Sequence, residues 1–322
     1  MTIPVYRPYP FRDAIDPALS RELKGLGVRF ETRPHARTEA MVVLLQTKVT
    51  AELLSTLPRL RVVANVAVGY DNVDVPACTA RGVLVTNTPD VLTDATADIA
   101  WALLLAAARR VPEGDRYVRA GKFKRWEWTL MRGVDVQGRT LDIVGAGRIG
   151  QAVARRGRGF SMRILYTARA GKAGFERETG AKRVSLPRLL RESDFVSIHV
   201  PLSGATRHLV GRKEMALMKP TAVLVNTARG PIVDEAALVR ALRSGRLFAA
   251  GLDVYEREPE LHPGLRELEN VALLPHVGSA TDETRRRMYE TALRNLIAVL
   301  RNHRPPNAVN PEVFVDARGR AR

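Results

Sequence analysis

Three ionisable residues of complementary kinds each follow an apolar, strand-like run in the second half of the chain. Arg229 comes after "AVLVNTA", Glu258 after "FAAGLDVYER" and His276 after "NVALLP". A guanidinium offers a rigid fork that suits a carboxylate ligand. An imidazole can give or take a proton near neutral pH, and a neighbouring carboxylate would orient it and stabilise its charged form. The set predicts proton transfer on a carboxylate-bearing substrate, and it has no metal-ligand spacing.

The elements that must position these residues are runs of alternating strand and helix character. Val-rich runs at 41–45, 61–67 and 83–87 are separated by helix-like segments, and the alternation resumes from residue 140. This pattern predicts an α/β protein with parallel sheets covered by helices on both faces. Because such sheets bind ligands beyond the carboxyl ends of their strands, the three residues are expected at one edge of one sheet.

A glycine-rich turn in "DIVGAGRIG" predicts a dinucleotide site. Gly145, Gly147 and Gly150 form G-x-G-x-x-G directly after an apolar strand and at the start of a helical stretch, with Arg148 and Ile149 between them. The first glycine permits the tight turn, the second lets the backbone approach a pyrophosphate, and the third lets the helix pack on the strand. The pyrophosphate would then bind at the amino terminus of the helix.

The end of the following strand, "RILYTAR", predicts which dinucleotide binds. In NAD-binding folds an acidic residue about 20 positions after the glycines binds the ribose 2′-hydroxyl. Here Thr167, Ala168 and Arg169 occupy that place, and the next carboxylate is Glu176. An Arg at this position would pair with a 2′-phosphate, which a carboxylate would repel. The sequence therefore predicts NADP, with NADPH preferred over NADH. A solvated surface Arg is the alternative.

Length and charge limit the other classes of function. A chain of 322 residues exceeds what one core usually holds, so two domains are expected. The net charge of +17 can signal a nucleic-acid partner. However, the Arg residues are scattered and no nucleic-acid-binding module is present, so no specific nucleic acid is expected. The single cysteine, Cys78, excludes an intrachain disulfide.

The chain shows no targeting or membrane signal. Its amino terminus lacks a signal peptide, and its longest apolar run, 99–108, is about half of what a bilayer span needs. No membrane partner and a cytoplasmic location are therefore expected. A last helix is predicted over about 281–303, with Ser279 and Asp282 as a capping box. The "DARGRAR" end is expected to be disordered.

Linked motifs from about residue 40 to 313 resemble the D-2-hydroxyacid dehydrogenase family, most closely its glyoxylate/hydroxypyruvate reductase branch. They include "VGAGRIG", "NTARGPIVDEAALVRAL", "GLDVYEREP" and "LLPHVGSATDETRRRM". The resemblance implies hydride transfer between a nicotinamide cofactor and C2 of a small 2-oxo or 2-hydroxy acid. It further implies that His276 donates the proton, that Glu258 raises the basicity of His276 and that Arg229 binds the substrate carboxylate.

The resemblance also implies the remaining site residues. Val68 and Gly69 of "AVGYD" would offer backbone N–H groups to the substrate carboxylate. Besides the glycine turn and the "TAR" segment, the cofactor would be lined by Thr96, Val200, Pro201, Thr206, Thr227, Ala228, Arg229, Asp253, His276 and Gly278.

In this family two Rossmann-like, doubly wound domains enclose the active site in a cleft. Accordingly, residues 1–95 with 287–322 are expected to form a discontinuous substrate-binding domain, and 96–286 the dinucleotide-binding domain. Family members commonly form homodimers through the nucleotide domain. The segment "FKRWEW" is a candidate for that contact, with Trp126 or Trp128 reaching toward the partner.

Two features depart from the family pattern or compete with its residues. Asp142 stands where a small residue is usual before "IVG", and an inward-facing acid there would be costly unless it were paired or faced the rim. Glu256 and Glu260 compete with Glu258, which is preferred because Pro259 follows it.

The resulting hypothesis is an NADPH-preferring reductase of glyoxylate and hydroxypyruvate. One alternative is an NAD-dependent D-2-hydroxyacid dehydrogenase for another 2-oxo acid. A second is a nucleotide-sensing binding protein that resembles a corepressor and uses the same fold as a switch.

Overall fold

The computed structural model describes residues 2–9, 11 and 15–314 and divides into two compact units. Unit 1 comprises Met1–Leu92 and Ser279–Arg322, and unit 2 comprises Thr93–Gly278. The "DARGRAR" end lies outside the described residues. Within the described ranges, none of the helices has the length and apolar character needed to cross a membrane.

Unit 1 is built on a five-stranded parallel sheet with the order β2-β1-β3-β4-β5, the order of flavodoxin-like folds. With elements numbered along the whole chain, its strands are β1 (Ile3–Tyr6), β2 (Val28–Glu31), β3 (Ala40–Val43), β4 (Val62–Asn65) and β5 (Leu84–Thr86). Its helices are α1 (Pro17–Gly25), α2 (Ala51–Ser55), α3 (Val75–Ala80) and α12 (Asp282–Leu300), with a 3-10 turn at Pro311–Val313.

Unit 2 is built on a seven-stranded parallel sheet with the order β12-β11-β10-β9-β6-β7-β8. Its strands are β6 (Thr140–Val144), β7 (Arg163–Thr167), β8 (Lys182–Arg183), β9 (Phe195–Ile198), β10 (Val223–Asn226), β11 (Ala249–Leu252) and β12 (Val271–Leu273). Its helices are α4 (Thr93–Ala108), α5 (Val111–Arg119), α6 (Arg148–Gly157), α7 (Ala173–Thr179), α8 (Leu186–Glu192), α9 (Arg212–Met215), α10 (Glu235–Arg243) and α11 (Pro263–Arg266), with 3-10 turns at Arg158–Phe160 and Gly230–Ile232.

The order of unit 2 is that of a dinucleotide-binding sheet with one strand added. The order reverses between β6 and β9, and the glycine turn follows β6 at this switch point. One apolar core joins the sheet to α4, α6 and α7, and a second joins its other face to α8, α9, α10 and α11. Two doubly wound parallel sheets are therefore present, which confirms the predicted fold class.

The chain crosses between the units at 92/93 and 278/279. The second crossing lies before the position expected from the sequence, between 286 and 287. The reason is α12, a single helix that contacts β4, β3 and α1 and whose buried apolar residues from Met288 to Leu300 belong to the core of unit 1. The capping box predicted from Ser279 and Asp282 is wrong, because Thr281 is the N-cap and its Oγ1 accepts from the Thr284 N–H at 3.1 Å. Asp282 instead occupies the first turn, where a carboxylate suits the helix dipole.

Asp142 faces inward from the middle of β6 instead of lying at a rim. Its side chain is 0 % exposed, and neither carboxylate oxygen has a hydrogen-bond partner among the described residues. Burial raises the pKa of Asp142 to about 9, so the group is held as a neutral acid at pH 7. The strand remains in place because Leu141 and Ile143 on either side are fully buried in the core.

Candidate active site

Arg229, Glu258 and His276 lie beyond the carboxyl ends of three adjacent strands of unit 2. Arg229 follows β10, Glu258 lies in the loop after β11, and His276 follows β12. These strands pair in parallel, so their ends meet at one sheet edge.

The imidazole of His276 is hydrogen-bonded to the carboxylate of Glu258. Nδ1 of His276 lies 2.7 Å from Oε2 of Glu258, and each side chain is about one-third exposed. The other oxygen of Glu258 accepts from the backbone N–H of Tyr255 at 3.0 Å. Burial raises the pKa of Glu258, but the hydrogen bond and charge of His276, the Tyr255 N–H and the charge of Arg229 together lower it below its ordinary value. Glu258 is therefore a carboxylate that directs the far nitrogen of the imidazole, Nε2, away from itself.

The backbone that carries His276 is held by a buried carboxylate. His276 has a left-handed φ of 55°, which is uncommon for a residue with a side chain. Asp253 accepts from the N–H groups of Val277 at 2.7 Å and Gly278 at 2.8 Å. The Thr96 hydroxyl donates to the Gly278 carbonyl at 3.0 Å. Burial raises the pKa of Asp253. The hydrogen bonds that Asp253 accepts from Val277 and Gly278 compensate in part for the energetic cost of the left-handed backbone at His276.

Arg229 is positioned by its own strand end and by a close backbone approach. Asn226 donates to the Arg229 carbonyl at 2.9 Å and accepts from the Ala228 N–H at 3.0 Å, which forms an Asx turn. Nη1 of Arg229 donates to the Ala228 carbonyl at 2.8 Å. A Cβ at Gly230 would lie 1.8 Å from the carbonyl carbon of Tyr255, so only glycine lets the loop after β10 meet the loop after β11.

The glycine turn has the geometry that a phosphate site requires. Gly145 has a φ of +102°, and a Cβ there would collide with His199 and Val200 after β9. A Cβ at Gly150 would lie 2.3 Å from the Gly145 carbonyl, so this glycine lets the helix pack against the turn. By contrast, nothing lies within 4 Å of the corresponding position at Gly147, the N-cap of α6. The backbone beside Gly147, where α6 begins with Arg148 and Ile149, therefore leaves room for a phosphate to approach.

The other predicted cofactor residues lie along the same edge of unit 2. Thr167 ends β7 and is followed by Ala168 and Arg169, and the Thr167 carbonyl accepts from the Gly145 N–H at 3.0 Å. After β9, the Thr206 hydroxyl donates to the Pro201 carbonyl at 2.7 Å, next to Val200. After β10, Oγ1 of Thr227 is buried and has no hydrogen-bond partner among the residues that the structure describes.

Val68 and Gly69 belong to unit 1 and follow β4 there. The Asn87 side chain donates to the Val68 carbonyl at 2.9 Å, and the Asn65 side chain donates to the Gly69 carbonyl at 2.8 Å. These two bonds hold the loop backbone, and both residues are partly exposed.

Other titratable residues near this edge have separate roles. Burial lowers the pKa of His199 to about 3, and its Nε2 lies 2.8 Å from the Ser197 hydroxyl, so it is a neutral imidazole. Glu256 accepts from the Glu235 N–H at 2.8 Å, while Glu235 accepts from the Glu256 N–H at 2.7 Å. Glu256 therefore braces the loop instead of contacting His276.

Sequence reasoning missed two residues that build the site, Asn226 and Tyr255. The Tyr255 hydroxyl donates to the Leu274 carbonyl at 2.7 Å and joins the loops that carry Glu258 and His276. An Asn at a strand end is a recognisable turn signal that could have identified Asn226. No comparable local signal marks Tyr255.

Comparison with known proteins identifies the family of this chain. Residues 101–278 match the family model described as D-isomer specific 2-hydroxyacid dehydrogenase, NAD binding domain. A glyoxylate reductase of Thermococcus onnurineus is 53% identical over 280 residues, which are 86% of this chain and 84% of that protein.

Two solved structures are similar to this chain over nearly its full length. A glyoxylate reductase from Paecilomyes thermophila has a TM-score of 0.87 and 35% identity, covering 96% of this chain and 98% of that one. An NADPH-dependent glyoxylate/hydroxypyruvate reductase of Sinorhizobium meliloti, in complex with NADP and malonate, has a TM-score of 0.84 and 34% identity, covering 96% and 97% of the two chains. The chain belongs to the D-isomer specific 2-hydroxyacid dehydrogenase family.

Proposed function

We propose that this protein reduces glyoxylate to glycolate and hydroxypyruvate to D-glycerate, with NADPH preferred over NADH. The observation that carries the proposal is the 2.7 Å contact between His276 and Glu258, beside Arg229 at the ligand-binding edge of unit 2. The names of the similar proteins support the substrate class, since they are glyoxylate or glyoxylate/hydroxypyruvate reductases.

In this proposal His276 is the proton donor and Glu258 its partner. Glu258 accepts a hydrogen bond from Nδ1, so the second proton of the imidazolium is on Nε2, the atom directed away from Glu258. Nε2 gives this proton to the oxygen of the ketone or aldehyde as C2 is reduced. Glu258 stabilises the charged form before transfer and holds the ring in one orientation afterwards.

Arg229 is proposed to bind the substrate carboxylate and to polarise the carbonyl group. Its guanidinium is half-buried and its charge acts on Glu258, so it belongs to the same electrostatic environment as the proton donor. The backbone N–H groups of Val68 and Gly69 are proposed to bind the same carboxylate. Unit 1 would accordingly be the substrate-binding domain and unit 2 the dinucleotide-binding domain.

The residues of unit 2 fit a nicotinamide dinucleotide. The open position at Gly147 leaves backbone exposed at the start of α6, and at the same edge the buried Thr227 hydroxyl has no partner within the described part of the chain. Gly145, Gly147, Arg148, Ile149 and Gly150 would hold the pyrophosphate. Thr96, Val200, Pro201, Thr206, Thr227, Ala228, Asp253 and Gly278 would line the remainder. The bound dihydronicotinamide supplies the hydride that reduces C2.

The proposed NADPH preference depends on the end of β7. Arg169 is exposed there, and among the described residues no carboxylate forms an ion pair with it. A guanidinium with this freedom can bind a 2′-phosphate in a charge-assisted pair. The family model is described by NAD, so an NADH-preferring enzyme is the competing outcome.

Unit 2 also carries exposed aromatic residues that suit a homodimer contact. Trp126 and Trp128 are 73% and 77% exposed and lie edge to face with ring centroids 6.0 Å apart. Large aromatic side chains are enriched at protein interfaces, so their exposure supports this segment as the contact.

The first experiment is a comparison of kcat/KM for NADPH and NADH with glyoxylate and with hydroxypyruvate. We expect turnover with both acids and a preference for NADPH of about tenfold or more. A preference for NADH would overturn the cofactor assignment alone. Absence of turnover with every pair, together with tight cofactor binding, would favour another 2-oxo acid or a nucleotide-sensing binding protein.

A further inference from the structure

The loop from 168 to 172, which joins β7 to α7, is anchored at its first residues by a side chain from another strand. Nε of Arg183 donates to the Ala168 carbonyl at 3.0 Å, and Nη2 of the same guanidinium donates to the Arg169 carbonyl at 2.9 Å. Arg183 ends the short strand β8, which pairs with β7. One rigid fork therefore holds two successive carbonyl groups at the place where the Arg169 side chain begins.

The same loop is anchored at its last residue by a buried ring. The Tyr166 hydroxyl accepts from the Lys172 N–H at 2.9 Å and donates to the carboxylate of Glu176, which also accepts from the Lys172 N–H at 3.4 Å. The Tyr166 ring is fully buried and packs edge to face on Phe175, so this anchor is part of the core.

The loop held by these two anchors carries two cationic side chains that can bind an anion. Arg169 and Lys172 are exposed, and within the described chain neither forms an ion pair with a carboxylate. Glu176 is the first carboxylate after β7, and Tyr166 holds it by a hydrogen bond. A loop with a fixed backbone and two free cations can bind a dianion at a smaller entropy cost than a mobile loop.

We infer that Arg183 is a positioning residue for the nucleotide 2′-phosphate, and that Tyr166 keeps Glu176 from neutralising the cations that bind it. This inference rests on the proposed NADPH preference and adds the residues that make Arg169 effective. Arg183 acts through the two carbonyl groups, whereas Arg169 and Lys172 contact the phosphate.

The variant Arg183→Lys distinguishes a role in holding the loop from a role of the positive charge alone. An ammonium group keeps the positive charge but has no planar fork that spans two successive carbonyl groups. If Arg183 acts by holding the loop, Arg183→Lys loses phosphate discrimination nearly as much as Arg183→Met. If Arg183 acts by its charge, Arg183→Lys retains the discrimination.

The test is calorimetric binding of adenosine 2′,5′-bisphosphate and of 5′-AMP at one ionic strength. The ratio of the two Kd values measures the contribution of the 2′-phosphate independently of turnover. We expect the native protein to favour the bisphosphate by about tenfold or more. Arg183→Lys and Arg183→Met should both lower this ratio several-fold, with the Kd for 5′-AMP nearly unchanged. Lys182→Met, the neighbouring exposed cation on β8, is the matched control and should keep the ratio.

A second pair of variants tests the role of Tyr166 without disturbing the core. Tyr166→Phe keeps the buried ring but removes the shorter hydrogen bond of Glu176, leaving only the 3.4 Å contact from the Lys172 N–H, and we expect it to lower the ratio. Tyr166→Phe combined with Glu176→Gln should restore the ratio, because the loosened side chain then carries no charge.

The outcomes separate this inference from the proposed cofactor preference. A native ratio near one overturns both. A high native ratio that Arg169→Ala removes, but that both Arg183 variants retain, overturns only the role of Arg183. Equal weakening of both ligands in the Arg183 variants would assign Arg183 to general stability and also overturn the inference.

Discussion

Two regions on the same edge of unit 2 are built in contrasting ways. At the β10–β12 end, His276 and Glu258 are partly buried and bonded to each other, and the adjoining backbone is held by Asp253. At the β7 end, the Arg169 side chain is exposed, and the fixed part of the region is the backbone beneath it.

The difference follows from what each region is proposed to do. Proton transfer requires donor and acceptor within hydrogen-bond distance, so a small displacement is costly. Recognition of a phosphate requires a cation within reach, and solvent screens an exposed charge. Substitutions at the β10–β12 end should therefore have larger effects on catalysis than substitutions at the β7 end.

The largest effect is expected for His276→Gln. This change removes the proposed proton donor while keeping a polar side chain of similar length, and kcat should fall about 10²–10⁴-fold. Fluorescence titration should give a nearly unchanged Kd for NADPH. A variant that retains kcat and loses NADPH binding would reverse the proposed role.

A smaller loss is expected for Glu258→Gln, about 10–100-fold in kcat, because the ring keeps a hydrogen-bond partner but loses the charge that stabilises its protonated form. The pH profile is the sharper measurement. The lowered pKa of Glu258 keeps it ionised at neutral pH, and its contribution is lost only as the pH falls through that value. The ratio of native to variant kcat should therefore be largest at neutral pH and should shrink as the pH falls through the pKa of Glu258. A ratio that does not change with pH would contradict the pairing.

Asp253→Asn tests whether positioning alone matters at this end. The amide can accept from one of the two N–H groups of Val277 and Gly278 but meets the other with a donor. We expect kcat to fall about tenfold and the free energy of unfolding to fall by about 1–3 kcal/mol. A loss of stability without a change in kcat would show that the His276 loop keeps its geometry without this carboxylate.

Arg169→Ala applies the same test to the β7 end. The ratio of kcat/KM for NADPH over NADH should fall about tenfold, with kcat/KM for NADH unchanged within about twofold. Raising the salt concentration should reduce the native preference in the same direction. A large loss of kcat with both cofactors would contradict the assignment of the β7 end to phosphate recognition and of the β10–β12 end to catalysis.

The smallest effect on catalysis is expected for Asp142→Ala, on the strand between the two regions. The pKa of Asp142 is about 9 in the folded protein and about 4 when unfolded, so the folded state keeps a proton that the unfolded state loses between these values. Stability therefore falls as the pH rises through this window.

Denaturant unfolding at pH 5 and pH 8 measures this pH dependence of the free energy of unfolding. Asp142→Ala should raise the free energy of unfolding by about 1–3 kcal/mol at pH 8 and by less at pH 5, with kcat unchanged. Asp135→Ala, at an exposed position, is the control and should change stability by less than about 0.5 kcal/mol at either pH. An equal gain at both pH values would mean that the buried acid is not neutral.

Much of the fold could be predicted because its signals are local. The run "RILYT" coincides with β7, and the glycine spacing placed the turn after β6, since only glycine tolerates the φ and close contacts there. The strand order placed Arg229, Glu258 and His276 at one edge, because parallel strands end on the same side. The helix cap at Thr281 was missed because several polar residues precede α12, and backbone geometry selects among them.

By itself, the sequence determined the alternation of strands and helices, the glycine turn and the residue types available for proton transfer and charge recognition. Only the tertiary structure decided that Asp142 faces a core, that Asp253 holds the His276 loop and that Arg183 holds the Ala168 and Arg169 carbonyls. Each of these depends on contacts between residues far apart along the chain. Such contacts form when strands pair and loops pack, so the spacing of residues along the chain does not encode them locally.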